Sequence, residues 1–198
     1  MRKVFCIVFC LGCTLFFCSE NSLGQIRTNF GPLWKRDTVI GDNVFKKHSN
    51  WLSGGVGTGK NSQYNGMQFA AGMDYNFHLH LEYFQFGLFV TGPNSTTFNN
   101  YEFHLAYGKR KENAKTNFSC FGGISYSAYF APIGNGFDQN AAHGVGLYGN
   151  AQLIFKLTYD VGIGTGVFLD VNTLETVGGL KIDLYFSGAY RGTRESIN

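Results

Sequence analysis

The sequence predicts an all-β fold, a closed antiparallel eight-stranded transmembrane β-barrel with up-and-down connections. Apolar and polar residues alternate with period two from Trp51 almost to the end of the chain. One face of that alternation carries no Asp, Glu, Lys or Arg in seven of the strands. The opposite face is small and mostly neutral, being largely Gly, Ser, Ala, Asn and Gln.

Each strand follows from its own alternation. Trp51 to Thr58 opens the series, within the glycine-rich stretch SGGVGTGKNS. Met67, Phe69, Ala71, Met73 and Tyr75 then oppose Gln68, Ala70, Gly72, Asp74 and Asn76. From Leu79 to Thr91 the phase changes: Leu79, Leu81 and Tyr83 share one face, Phe84, Phe86, Leu88 and Val90 the other. That predicts either a bulge near Tyr83-Phe84 or a strand that starts only at Phe84. Tyr101, Phe103, Leu105 and Tyr107 oppose Glu102, His104, Ala106 and Gly108. The remaining runs are Phe118 to Phe130, Val145 to Leu157, Val161 to Val171 and Leu180 to Phe186. Short links are expected near Phe77-His78, Lys111 to Ala114 and Thr158 to Asp160. Longer ones, rich in Gly, Asn and Ser, are expected at Gly59 to Asn65, Gly92 to Asn99, Ala131 to His143 and Asn172 to Thr176.

Alternation alone leaves open which face points inward. A soluble ligand-binding barrel keeps its apolar face inside and a charged coat outside, and a membrane barrel reverses this. Charged residues make up only 15 % of the chain, well short of a soluble domain's usual share, and aromatics reach 17 %. The polar face is too small and too neutral for an outer coat, and it suits the crowded interior of a narrow barrel. Strand length agrees, since about 9–11 tilted residues cross a hydrocarbon core. Outward aromatics fall near both ends: Tyr75, Tyr107, Phe118 and Phe155 on the short-link side, Tyr101 and Phe130 on the long-link side.

The flanks read differently. Residues 1–24 have the form of a secretory signal peptide: Arg2 and Lys3, an apolar core from Val4 to Phe17, and small Ser22 and Gly24 ahead of a cleavage point before Gln25. Four of five cysteines, Cys6, Cys10, Cys13 and Cys18, fall within it, which leaves Cys120 and excludes a disulfide framework or a cysteine metal site. Phe17 is too large for a lipobox ahead of Cys18, and lipidation at Cys13 would leave a very short apolar core. Taking Arg2, Lys3 and Glu20 from the 16 basic and 13 acidic residues leaves +2, no signature of a nucleic-acid partner. Residues 25–50 read as a polar, mildly basic periplasmic arm, 51–190 as the barrel, and 191–198 as a short tail.

Signal peptide, eight alternating strands, short turns on one side and longer loops on the other together resemble the small outer-membrane β-barrels of the OmpA, OmpX and opacity type. The resemblance covers about Trp51 to Tyr190 and rests on architecture rather than motif. It implies the outer membrane of a Gram-negative cell, contact with outer-membrane lipid, and a structural or interaction role, with another outer-membrane or surface protein as partner. The chain departs from the pattern at its end, because Phe186 is followed by twelve residues rather than closing the sequence.

Candidate sites follow. Gly54, Gly59 and Lys60 match most of the phosphate-loop pattern, but Asn61 stands where Ser or Thr belongs and a turn follows rather than a helix, so no nucleotide is expected. The inward set Glu102, His104, Lys156, Asp170, Lys181 and Asp183 is expected to form a paired polar network, with Gly164 and Gly166 roughly opposite Lys181 and Asp183 and leaving room for them. Inward Phe121, Tyr148, Phe168 and Tyr185 are expected to block a lumen, so no open pore is expected. Pro132, Phe137 and Asp138 mark the long Ala131–His143 loop as a contact surface. No catalytic set, cofactor or metal is expected. The alternatives are a lipid-modifying outer-membrane enzyme, with His143 and Asp138 as its nearest candidates, and a secreted soluble ligand-binding barrel.

Overall fold

The computed structural model describes residues 38–62, 66–79, 82–93, 99–133 and 138–193, all within one compact unit, Trp34–Asn198. The expected signal peptide, and the arm as far as residue 37, lie outside the described residues. Eight strands close into an antiparallel barrel: β3 (Trp51–Asn61), β4 (Met67–Leu79), β5 (Glu82–Gly92), β6 (Asn100–Glu112), β7 (Thr116–Ile133), β8 (Asp138–Lys156), β9 (Val161–Asn172) and β10 (Thr176–Ser187). Each pairs with its sequence neighbour, and β10 returns to β3. Closure leaves no barrel strand with an open edge along its paired length.

The polarity is inverted relative to a soluble protein. Val56, Met73, Phe86, Leu105, Ile124, Leu147, Ile163, Leu180 and Ile182 are among the large apolar side chains exposed on the outer wall. Asp74, Glu102, His104, Asp170, Lys181 and Asp183 are buried inside. The aromatics gather toward the two ends. On the short-turn side Phe77 stacks on Phe84, whose ring meets Tyr107 edge-on, with centroids 5.6 and 5.7 Å apart. On the long-loop side Tyr101 and Phe130 meet edge-to-face at 5.5 Å.

The glycines of the first barrel strand give the opening stretch its meaning. Lys181 stands in register between Gly57 and Gly166, and Asp183 between Gly55 and Gly164. Two inward long side chains thus have a side-chain-free neighbour on each flank. The strand runs on to Asn61, so Lys60 lies within it, exposed on the outer face, and not in a loop.

Two further regions differ from the sequence reading. The pairing Phe77↔Phe84, His78↔Tyr83, Leu79↔Glu82 is continuous, so there is no bulge at Tyr83-Phe84. The phase change marks instead the passage from one strand to the next: β4 runs on to Leu79 and β5 starts at Glu82, so Phe77-His78 is strand rather than a link. The Ala131–His143 segment is mostly strand: β7 and β8 stay paired out to Ile133↔Asp138. Beyond Phe130 on β7 and Gly144 on β8 this ribbon has no strand beside it among the described residues, because β6 pairs no further than Asn100↔Tyr129 and β9 no further than Gly146↔Asn172.

The arm and tail also contribute strands. β1 (Thr38–Ile40), β2 (Asn43–Phe45) and β11 (Tyr190–Thr193) form a separate three-stranded sheet, in the order β1-β2-β11. It docks at the short-turn mouth, where Phe45 stacks on Tyr159 with centroids 4.5 Å apart and Lys46 N–H donates to the Ala189 carbonyl. Asp160 fixes the link that follows β10, its Oδ1 accepting from Ser187 Oγ at 2.8 Å and from Ala189 N–H at 2.9 Å. Residues 187–193 therefore turn back and cover the mouth.

Candidate functional site

Alternation places every second side chain in the lumen, and strand stagger sorts the charged ones into three layers. In the middle layer His104 lies between two carboxylates, Nε2 2.9 Å from Asp74 Oδ1 and Nδ1 3.2 Å from Glu102 Oε1. Lys181 Nζ stands 2.9 Å from Asp74 Oδ2 and 3.3 Å from Asp183 Oδ1. The Tyr148 ring stacks on the His104 ring with centroids 3.7 Å apart. Asp74 thus joins the histidine to the lysine, and four expected residues (Glu102, His104, Lys181, Asp183) belong to one cluster. Each of its three carboxyl groups has His104 or Lys181 within 3.3 Å, which offsets part of the cost of holding charge away from water.

Lys156 does not belong to it. It ends β8 at the short-turn mouth, where it pairs with Glu112 and lies with its Nζ 3.8 Å from the centre of the Tyr159 ring. Arg110 completes this second layer. Its guanidinium reaches Glu112 at 2.8 Å, the Tyr185 hydroxyl at 2.8 Å, Asn117 Oδ1 at 3.0 Å and the Ser49 carbonyl at 2.9 Å. It also stacks over Trp51 at 4.1 Å. A planar fork with several donors suits this set of acceptors as an ammonium would not.

Asp170 adjoins the middle cluster on its outer side, against Glu102, so of the six expected residues Lys156 alone stands apart from that network. The Asp170 carboxylate accepts from Ser125 Oγ at 2.6 Å and Asn172 Nδ2 at 2.7 Å. Glu175, in the β9–β10 turn, forms the outermost contacts of this third layer: Asn61 Nδ2 donates to Oε2, and Asn100 Nδ2 lies 2.5 Å from Oε1.

Sequence reasoning missed Arg110, Glu112 and Glu175. For the first two a signal existed, since the inward phase of Glu102, His104, Ala106 and Gly108 continues through Arg110 to Glu112. Of the expected contact residues, Pro132 lies in β7 opposite Gln139, and Asp138 opens β8. Phe137 lies outside the described residues. His143 is exposed on the outer wall, with Nδ1 2.9 Å from the Tyr126 hydroxyl.

His48 lies between the small sheet and β3, half-buried, with a positive φ of 58°. The Tyr83 hydroxyl reaches its Nδ1 at 2.5 Å, and its ring stacks on His78 at 5.2 Å. Burial, then the nearby His78, Lys47 and Arg110, push its pKa down to about 4. The fold therefore holds His48 neutral, while a released segment would titrate near the ordinary 6.5. Stability from this contact is full above 6.5 and is lost as pH falls through about 4. Imidazole carbon shifts of His48 are expected to titrate near pH 4; a midpoint near 6.5 would mean the segment is not docked.

No family model matches the chain, and no curated protein matches it in sequence. Among solved structures, the barrel superposes on the crystal structure of Neisserial surface protein A with a TM-score of 0.59 at 11 % identity, covering 70 % of this chain and 96 % of that one. The N-terminal β-barrel domain of Pseudomonas aeruginosa OprF follows at 9 % identity and TM-score 0.48, covering 70 % and 98 %. Ail, the attachment invasion locus protein of Yersinia pestis, stands at 12 % identity and TM-score 0.47, covering 73 % and 99 %. The first of these shows the fold, which is that of the small eight-stranded outer-membrane β-barrels.

Proposed function

We propose that this protein spans the outer membrane, conducts nothing through its lumen, and acts by contact, presenting the β7–β8 ribbon at the cell surface. The observation that carries this is the inverted wall, with exposed Phe86, Leu105, Ile124, Leu147 and Ile182 outside and buried Asp74, Glu102, Asp170 and Asp183 inside. In water such a wall would be a large aggregation-prone patch, whereas in lipid it needs no further cover. The lumen's own side chains favour a plug over a pore: Phe121, Tyr148, Phe168 and Tyr185 are all buried there, among two layers of paired charge and a third of hydrogen-bonded carboxyl groups.

The short-turn mouth carries the small sheet, and in the membrane it faces the periplasm. The ribbon then projects from the outer side, where connecting segments most often meet partners. His143 engages Tyr126 rather than a serine, which favours contact over lipid chemistry.

Replacing residues 131–140 by Asn-Gly leaves Phe130 opposite Ala141 and closes the hairpin with a two-residue turn. The barrel is expected to fold and insert as before, while capture of a surface partner from gently solubilised outer membranes is lost. Undiminished capture by the shortened protein would move the contact to the periplasmic sheet or the lipid-facing wall.

A further inference from the structure

The β9–β10 turn closes over the long-loop mouth through one carboxyl group. Asn172 Oδ1 accepts from the N–H groups of Leu174 and Glu175, both at 2.8 Å, and so fixes the turn. Glu175 is 4 % exposed and reaches Asn61 on β3 and Asn100 on β6, strands three places apart around the barrel. One side chain therefore spans the mouth.

Its surroundings suit a neutral acid better than an anion. The charged group facing it is Asp170 on β9, which in turn lies against Glu102 on β6. The inward residues of β3, β4, β5 and β7 at this level, Asn61, Gln68, Thr91 and Ser127, do not ionise. Nor do Gly146 on β8 and Val177 on β10, and the basic residues at this end, Lys60 and His143, are exposed on the outer face. Asn100 supplies an independent sign. Its Oδ1 is buried without a hydrogen-bond partner, while its Nδ2 stands 2.5 Å from Glu175 Oε1, below the N–H···O range and within the O–H···O range at its short end. Turning the amide over lets Oδ1 accept a hydrogen bond from the O–H of the neutral carboxyl group.

We propose that the β9–β10 turn is a proton-controlled cover on the outer mouth of the barrel, closed while Glu175 is neutral and released when it ionises. Burial, with Asp170 adding to it, holds the Glu175 carboxyl above the usual carboxylate range. The sign follows. At low pH the acid is neutral whether the turn is closed or released, and the cover stays shut. As pH rises past the ordinary carboxylate value the released form ionises first, and the closed form loses ground until Glu175 ionises in place. This inference stands on the barrel fold and not on the proposed contact role.

The test places a thiol beneath the cover. Thr91→Cys is suitable because Thr91 is buried, faces the lumen and pairs in register with Asn100. Cys120→Ser removes the native thiol, and Lys60→Cys on the outer face supplies an exposed reference. In lipid nanodiscs, the rate of reaction with a charged thiosulfonate at Thr91→Cys, divided by that at Lys60→Cys, is expected to rise about tenfold or more between pH 5.5 and 8.5. Adding Glu175→Gln is expected to hold the ratio low throughout. A ratio that changes equally with and without Glu175→Gln overturns the proposal. If Thr91→Cys fails to fold, the Ser62 amide reads the same event without it. Its N–H donates to the Thr176 carbonyl at 2.8 Å, so its exchange protection is expected to fall with pH in the native chain and not in Glu175→Gln. Equal protection in both overturns the proposal as well.

Discussion

Lys181→Met is expected to cost about 3–5 kcal/mol, because removing one partner of a buried ion pair leaves the other charged and unsolvated. Two carboxylates are stranded here. Lys181 is 3 % exposed and sits between Asp74 at 2.9 Å and Asp183 at 3.3 Å. The sequence reading placed Lys181 in one network with Asp183 and Asp170; Asp183 is a partner, and Asp74, not Asp170, is the other. Methionine fits the Gly57–Lys181–Gly166 space, so the loss is electrostatic rather than steric. Combining Lys181→Met with Asp74→Asn and Asp183→Asn should recover most of it. Urea unfolding of the protein folded in detergent reads both. A single variant within error of the native chain would mean that water reaches this layer and screens it.

Gly57→Ala is expected to destabilise by about 1–3 kcal/mol or more, the usual scale for forcing atoms into a filled space. A Cβ at Gly57 would lie 2.0 Å from the Leu180 carbonyl oxygen and 2.6 Å from the Lys181 Cα. Both are backbone atoms of the paired strand, so relief requires β3 and β10 to separate where the barrel closes. Gly54→Ala, three residues away on the outer face, meets nothing nearer than 3.8 Å. It should change stability by no more than about 0.5 kcal/mol. Equal effects at the two positions would refute the assigned faces of this strand. The comparison also settles what SGGVGTGKNS is: a strand whose inward glycines make way for Lys181 and Asp183.

Strand number, order and facing were legible because a closed barrel with an apolar outer wall imposes one rule on every strand, and a violation costs the same everywhere. Strand ends were not, because alternation continues past the wall wherever two strands remain paired. That is why the ribbon beyond Phe130 read as a loop, and why Lys60 was placed outside its strand. The interior was legible in membership but not in pairing. Period two shows that Lys156 and Asp170 both face inward. It does not show that one ends β8 at the short-turn mouth while the other lies near the far end of β9, since that depends on stagger around the barrel. Arg110 and Glu112 were hidden in Lys109-Arg110-Lys111-Glu112-Asn113, which by composition reads as a solvated turn. Glu175 was beyond reach, because a turn residue obeys no face rule and its partners Asn61 and Asn100 are remote in sequence.

The central claim is a closed barrel with its apolar face outward in lipid. Electrophoretic mobility in dodecyl sulfate, compared between unheated and boiled samples of the membrane-extracted protein, tests it most directly. A hydrogen-bonded ring without edges resists the detergent until heated, so the unheated chain is expected to migrate as a distinct, more compact species that converts on boiling. Alkaline carbonate should leave it in the membrane pellet. Identical mobility before and after boiling, together with release by carbonate, would contradict the account.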